Sequence, residues 1–179
     1  GFAPWIDDPD SLANALDLCT GSGCLAIVMA HVFPNANIDA IDLSPSALAV
    51  ARRNIDDYDL AARVHTIESD LFAGAKGRRY DLIISNPPYV TAAAMEALPA
   101  EYRHEPALAL AAGSDGLDVV RRILATAGKH LTPKGVIAIE VGHNRDLVDA
   151  AFPDFHLTWL DTETAQGKVF LLRREDLPK

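Results

Sequence analysis

The sequence predicts an α/β fold, a doubly wound and mostly parallel sheet that ends in an antiparallel hairpin. Three observations predict it. Short apolar runs alternate with helix-length amphipathic ones from Asn14 to Glu175, as in a parallel sheet covered by helices. The first run enters a helix through a glycine-rich turn, Thr20-Gly21-Ser22-Gly23. The last two runs, 155–160 and 169–173, lie only a loop apart, whereas a parallel crossover needs about a dozen connecting residues.

Residues 15–19 read as a buried strand and 24–33 as an apolar helix stopped by Pro34 and Asn35. The second strand is 38–41. Ser44 then stands as an N-cap with Pro45 at the first helical position, and Leu48, Ala51 and Ile55 mark that helix's buried face. Strands at 64–67 and 80–84 are separated by the Gly-rich, basic stretch 74–79, which has room for a short helix or loop. Asn86-Pro87-Pro88-Tyr89 opens a segment running to Gly113, a length that points to a functional loop. A helix over 114–131, a fifth strand over 135–141 and a helix over 144–152 complete the alternation before the hairpin. There is no internal repeat.

The 179 residues carry 16 basic and 25 acidic side chains, a net charge of −9, which disfavours nucleic-acid binding. With 49% hydrophobic and 23% charged residues, the composition is that of one globular domain with a full core, and disordered or fibrous classes are excluded. No apolar run approaches the ~20 residues of a bilayer-spanning helix, and no charged-then-apolar leader opens the sequence. The expectation is a cytoplasmic protein without a membrane partner. Gly1 rather than Met comes first, which reads as a piece of a longer protein.

Cys19 and Cys24 have neither redox nor zinc spacing and read as reduced thiols packed as small apolar groups. The six histidines, at 31, 65, 104, 130, 143 and 156, show no ligand pairing, so no metal is expected. His104, beside Glu105, is divided between a structural role and a substrate contact. Arginine pairs starting at 52, 78, 121 and 173 are dispersed over different elements and read as solvated faces.

Chemistry concentrates at two places. In Asp17-Leu18-Cys19-Thr20-Gly21-Ser22-Gly23 the glycines sit where a strand turns sharply into a helix, and a missing Cβ lets backbone approach a ligand's polar end. Asp42 follows 19 residues after Gly23, where a carboxylate can accept from both hydroxyls of a ribose. The turn also satisfies the GxGxxA form of a dinucleotide fingerprint over 21–26, or it serves chain reversal alone. Asp70 closes the third strand and can accept from an adenine amino group, with Leu71 against the ring, or it can cap a turn.

The second place is Asn86-Pro87-Pro88-Tyr89, at the carboxyl end of the fourth strand, the edge where open α/β sheets bind ligands. Adjacent prolines remove two N–H donors and stiffen the backbone, so this stretch offers acceptors in a fixed frame. The Asn86 side-chain carbonyl and the Pro87 backbone carbonyl can hold both hydrogens of a planar NH₂ group. Attack by such a nitrogen on a methyl electrophile costs its planarity and builds positive charge. Acceptors aimed at its hydrogens therefore strengthen in the transition state, and no strong base is needed beforehand. Tyr89 can stack on the planar group and favour a nearby cation such as a sulfonium. The bland alternative is a surface Pro-Pro turn.

At these residues the chain resembles class I S-adenosylmethionine-dependent methyltransferases with an NPPY motif, specifically the protein-glutamine amide-nitrogen methyltransferases. The likeness continues through Glu101-Tyr102-Arg103-His104-Glu105-Pro106 and on to Asp118. The Tyr-Arg-His-Glu-Pro form is similar to the branch acting on large-subunit ribosomal protein L-three; the branch acting on peptide-chain release factors has Phe before Glu-Pro. The resemblance implies a Rossmann-like sheet of seven strands and S-adenosyl-L-methionine as cofactor, leaving as S-adenosyl-L-homocysteine. It also implies cofactor contacts from Asp17, Cys19, Thr20, Gly21, Ser22, Gly23, Asp42, Leu43, Asp70, Leu71 and Asn86. Asn86, Pro87, Pro88 and Tyr89 would hold the glutamine, with Asn86, Pro87 and Tyr89 serving catalysis. Cys19 stands where the family often has Gly. Residues 1–179 match the family's catalytic domain and not the helical substrate-recognition domain ahead of it.

Three other readings compete: an adenine-amino nucleic-acid methyltransferase, whose substrate NH₂ has similar geometry; an NAD-dependent oxidoreductase, from the GxGxxA turn and Asp42; and a non-catalytic partner that keeps the fold.

Overall fold

A computed structural model describes residues 4–6, 8–89, 115–161 and 166–178. Its seven strands form a single sheet in the order β3-β2-β1-β4-β5-β7-β6. These are β1 (Asn14–Leu18), β2 (Asn37–Asp42), β3 (Val64–Glu68), β4 (Tyr80–Ser85), β5 (Leu131–Glu140), β6 (Thr158–Leu160) and β7 (Val169–Arg173). The first five pair in parallel, while β7 runs antiparallel to both β5 and β6. The expected hairpin is therefore present, with β7 inserted between β5 and β6.

The helices are α1 (Cys24–Val32), α2 (Pro45–Asp57), α3 (Asp118–His130) and α4 (Arg145–Ala151). Four successive residues are buried in β1 and in β2, because a parallel strand covered on both faces has no solvent side. Ala15, Ile38, Ala40 and Leu82 pack in one core with Ala26, Met29 and Ala30 of α1 and Ala51 and Ile55 of α2. Leu16, Leu18, Ile83 and Ile137 pack in a second core with Val120, Ile123 and Leu124 of α3 and Val148 of α4. Fully burying one such aliphatic side chain contributes about 1.5–3 kcal/mol.

Helix α2 starts as its sequence dictates. Ser44 is extended, its hydroxyl accepts from the Ala47 N–H at 3.2 Å, and Pro45 occupies the first turn. Helix α3 begins at Asp118 rather than 114, because Gly116 takes φ +78° and the Asp115 carboxylate accepts from the Leu117 N–H. Strand β5 begins at Leu131, earlier than 135. Leu131 pairs with Tyr80 and Val136 with Leu82, so the Pro133 stretch is absorbed as an irregularity in the register. Between β3 and β4 a 3₁₀ turn, Leu71–Gly74, precedes the basic loop. Strand β6 covers only half of 155–160. Residues 90–114, which hold His104 and the 101–106 motif, lie outside the described residues.

Two side-chain readings are corrected. Cys24 is exposed, with its sulfur 3.2 Å from the Ser22 hydroxyl, and only Cys19 is partly buried; both are free. The first arginine of every pair is bonded rather than merely solvated: Arg52 to Thr66, Arg78 to Asp39, Arg121 to Asp115 and Asp118, and Arg173 to Glu175. Among the described residues no helix is long and apolar enough to cross a membrane, and no cluster of three metal-ligating side chains occurs.

Candidate active site

The strand order reverses direction at β1, with β2 on one side and β4 on the other, and a crevice outside the carboxyl ends of such strands is where open α/β sheets take ligands. A cavity of about 850 Å³ opens there. The Thr20 N–H donates to Ile41 at the end of β2, and Ser85 at the end of β4 pairs with Leu18. The turn after β1, the end of β2 and the start of the NPPY segment are thereby brought to one edge.

The turn is built by its neighbours. Cys19 takes φ +64° and Gly21 and Gly23 take +56° and +82°, a left-handed region in which glycine is unstrained. This explains why glycine suits position 19 and makes Cys19 the strained member. A Cβ at Gly23 would lie 3.1 Å from that of Ala51, so α2 packs directly on the turn. From α2, Asn54 also donates to the Ser22 carbonyl oxygen at 2.8 Å. A Cβ at Gly21 would meet nothing within 4 Å, and Gly21 lines the cavity.

Asp17 lies behind this turn, fully buried and outside the cavity lining. Its Oδ2 accepts from the Thr20 hydroxyl at 2.5 Å and from the Ala26 N–H at 2.9 Å. Helix α1 has no side-chain cap from Gly23, so Asp17 satisfies an orphan N–H of its first turn from the preceding strand. Asp17 Oδ1 is buried without a partner among the described residues. Burial pushes the Asp17 carboxyl up to about 6, against the lowering effect of its Thr20 and Ala26 bonds. Burial and the Asp42 charge likewise push the Cys19 thiol up to about 12, so it is neutral and a poor nucleophile.

Asp42 is held at both oxygens. Oδ2 accepts from the Gly21 N–H and Oδ1 from the Ser44 N–H, each at 2.8 Å. A carboxylate has about four acceptor sites, so lone pairs remain for two hydroxyls. Asp70 does not cap the 3₁₀ turn that follows it. Its Oδ2 instead accepts from Arg122 of α3 at 2.7 Å, with both side chains about half exposed. Leu71 beside it takes φ +49° and lines the cavity.

Asn86, Pro87, Pro88 and Tyr89 all line the same cavity. Asn86 is exposed there, Pro87 is buried, and Pro88 and Tyr89 are partly buried. Burial, and secondarily the Glu140 charge, raise the Tyr89 hydroxyl above its ordinary range, so it is un-ionised at neutral pH. The lining thus includes the predicted residues Cys19, Thr20, Gly21, Ser22, Asp42, Leu43, Asp70 and Leu71 as well. Asp17 and Gly23 are the exceptions. Missed by sequence reasoning were Ala47 and Val50 on α2 and Val119 and Arg122 on α3. The i, i+3 spacing within each pair is the local sign they share, and it is common on any amphipathic helix.

The cavity lining thus combines the Asp42 carboxylate, apolar side chains such as Leu43, Leu71 and Val119, and the Asn86–Tyr89 segment. The chain is similar to a ribosomal protein uL3 glutamine methyltransferase of Neisseria gonorrhoeae, 58% identical over 177 residues that make up 99% of this chain and 59% of that protein. A protein of the same name from Bordetella pertussis is 53% identical over 99% of this chain and 59% of its own length. The chain therefore spans about three-fifths of the curated relatives it matches. Among solved structures, a methyltransferase from Pyrococcus furiosus superposes with a TM-score of 0.65 at 19% identity, covering 91% of this chain and 75% of that one; this is the class I methyltransferase fold. The model for the family described as "Methyltransferase small domain" matches residues 6–102, more than half of the sequence, and the chain belongs to that family.

Proposed function

We propose that this chain is the catalytic domain of an S-adenosylmethionine-dependent enzyme that methylates the side-chain amide nitrogen of a glutamine in a protein, namely ribosomal protein uL3. The observation that carries the reading is one continuous cavity joining Asp42 and the Gly21 turn to Asn86-Pro87-Pro88-Tyr89. That the relatives are ribosomal protein uL3 glutamine methyltransferases supports the substrate. An acidic domain also suits a basic ribosomal protein.

The residues fit the cofactor. The open space over Gly21 would admit its methionine part, beside Cys19, Thr20 and Ser22. Asp42 would accept from the ribose hydroxyls while its other lone pairs stay on Gly21 and Ser44. Asp70, Leu71 and Leu43 would border the adenine, with Asp17 and Gly23 supporting the turn from behind. When bound, S-adenosylmethionine supplies an electrophilic methyl group. S-adenosylhomocysteine would leave the same site, and no metal enters the scheme.

Asn86 Oδ1 and the Pro87 carbonyl would accept the two hydrogens of the substrate amide, orienting its nitrogen. As the nitrogen pyramidalises and gains positive charge, both acceptors strengthen, which lowers the barrier without prior deprotonation. The methylated nitrogen then returns to planarity by losing one of its two protons to water. Tyr89 would pack against the amide plane. The enzyme would act in the cytoplasm, with part of its substrate affinity residing in the helical domain that the resemblance places ahead of residues 1–179.

Titration calorimetry with S-adenosylmethionine, S-adenosylhomocysteine and NAD tests the cofactor. Methyl transfer to full-length uL3, to release factors and to duplex DNA then tests the substrate. Binding of both S-adenosyl ligands and labelling of uL3 are expected. Binding of NAD alone would overturn the reading, and labelling of release factors instead would move the chain to that branch.

A further inference from the structure

Resting on the reading of the NPPY segment as the substrate site, we infer that Asn144 is a positioning residue that acts through Tyr89, completing a seat otherwise formed by Gly116 and Gly142. Asn144 stands at the N-cap of α4 yet makes no side-chain cap hydrogen bond. Asparagine is among the best capping residues, so the amide of Asn144 is diverted from its ordinary local role. Its Nδ2 donates to the Tyr89 carbonyl oxygen at 3.1 Å, across 55 residues of sequence.

Two glycines clear the space around the same tyrosine. A Cβ at Gly116 would lie 2.5 Å from the Tyr89 carbonyl oxygen, and one at Gly142 would lie 2.6 Å from Cε2 and 2.9 Å from Cζ of its ring. Both glycines have positive φ, +78° and +57°. The Tyr89 carbonyl is thus held between Gly116 and Asn144 while its ring lies against the backbone of Gly142. Nothing in the tetrad itself imposes this orientation, since Pro87 and Pro88 restrain only the backbone that leads into Tyr89. The seat comes from the entry to α3 and the turn between β5 and α4, and it fixes the ring against which a substrate amide would pack.

The test uses Asn144→Ser and Asn144→Asp. Both retain a good cap for α4, but serine is too short to reach Tyr89 and aspartate turns an acceptor toward an acceptor. Incorporated 3-fluorotyrosine labels the four tyrosines, and Tyr89→Phe assigns the Tyr89 resonance. Both variants are expected to melt and to bind S-adenosylhomocysteine like the parent, while the Tyr89 fluorine signal shifts or broadens. Their kcat on uL3 should fall about 10²-fold, as expected for a misplacement of about 1 Å, with KM changing much less. An unmoved Tyr89 signal in both variants, or unchanged kcat despite a moved signal, would overturn the inference. A parent inactive on uL3 even when joined to the preceding helical domain would refute the proposed substrate instead, and the fluorine signal would still decide whether Asn144 orients Tyr89.

Discussion

The Ser85 hydroxyl donates a hydrogen bond of 2.7 Å to the carbonyl oxygen of Leu18, its register partner on β1. Ser85 is the residue before Asn86, and Leu18 the residue before Cys19. This buried bond therefore joins the two strand ends at the point where the glycine-rich turn and the Asn86–Tyr89 segment leave the sheet.

Ser85→Ala is expected to destabilise the fold by about 1 kcal/mol, the usual net worth of such a bond. Urea unfolding followed by circular dichroism reads this directly. Stability equal to that of the parent would mean that the strand register alone holds the two halves together.

Asp42→Ala removes the proposed ribose acceptor and also frees the N–H groups of Gly21 and Ser44. Affinity for S-adenosylhomocysteine should weaken by roughly 1–3 kcal/mol. Calorimetry checks it, and an unchanged Kd would show that the ribose is held elsewhere.

Asn86→Ala is expected to keep cofactor affinity within a few-fold while losing about 10²-fold or more in kcat on uL3, comparable to removing a transition-state hydrogen-bond partner. Single-turnover methyl transfer separates the two effects. Normal turnover would eliminate the amide clamp.

The buried Asp17 carboxyl makes stability pH-dependent in a direction unusual for an acid. Its folded value, about 6, lies above the ordinary 3.8, so between these values the folded chain retains a proton that the unfolded chain has released. Raising the pH through that window destabilises the fold. In Asp17→Asn this slope disappears. The stability of Asp17→Asn relative to the parent should rise from about pH 4 to about pH 6 and then level off. A difference flat with pH would show that the carboxylate is ionised throughout.

Much of the site is written locally. The Ser44-Pro45 cap, the glycines of the turn and the paired prolines after Ser85 each carry their own chemistry, so their elements were legible without knowledge of any neighbour. Asp17 was not legible in this way. The resemblance implies a cofactor contact for it, and the structure places its carboxylate at the N-terminus of α1, behind the cavity. Arg122 was equally hidden, because an arginine on an amphipathic helix looks solvated until a specific acid is placed opposite it.

The sequence by itself determined the alternation of strands and helices, the reversed hairpin, and the glycine-rich turn and paired-proline segment that line the cavity. Those follow from hydrophobic periodicity and from the backbone preferences of glycine and proline, both of which act over a few residues. Only the tertiary structure decided that β4 lies beside β1, that Arg122 reaches Asp70 across 52 residues, and that Asn144 reaches Tyr89 across 55. Periodicity reports that a face is buried, while the partner buried against it is chosen by strand order and packing.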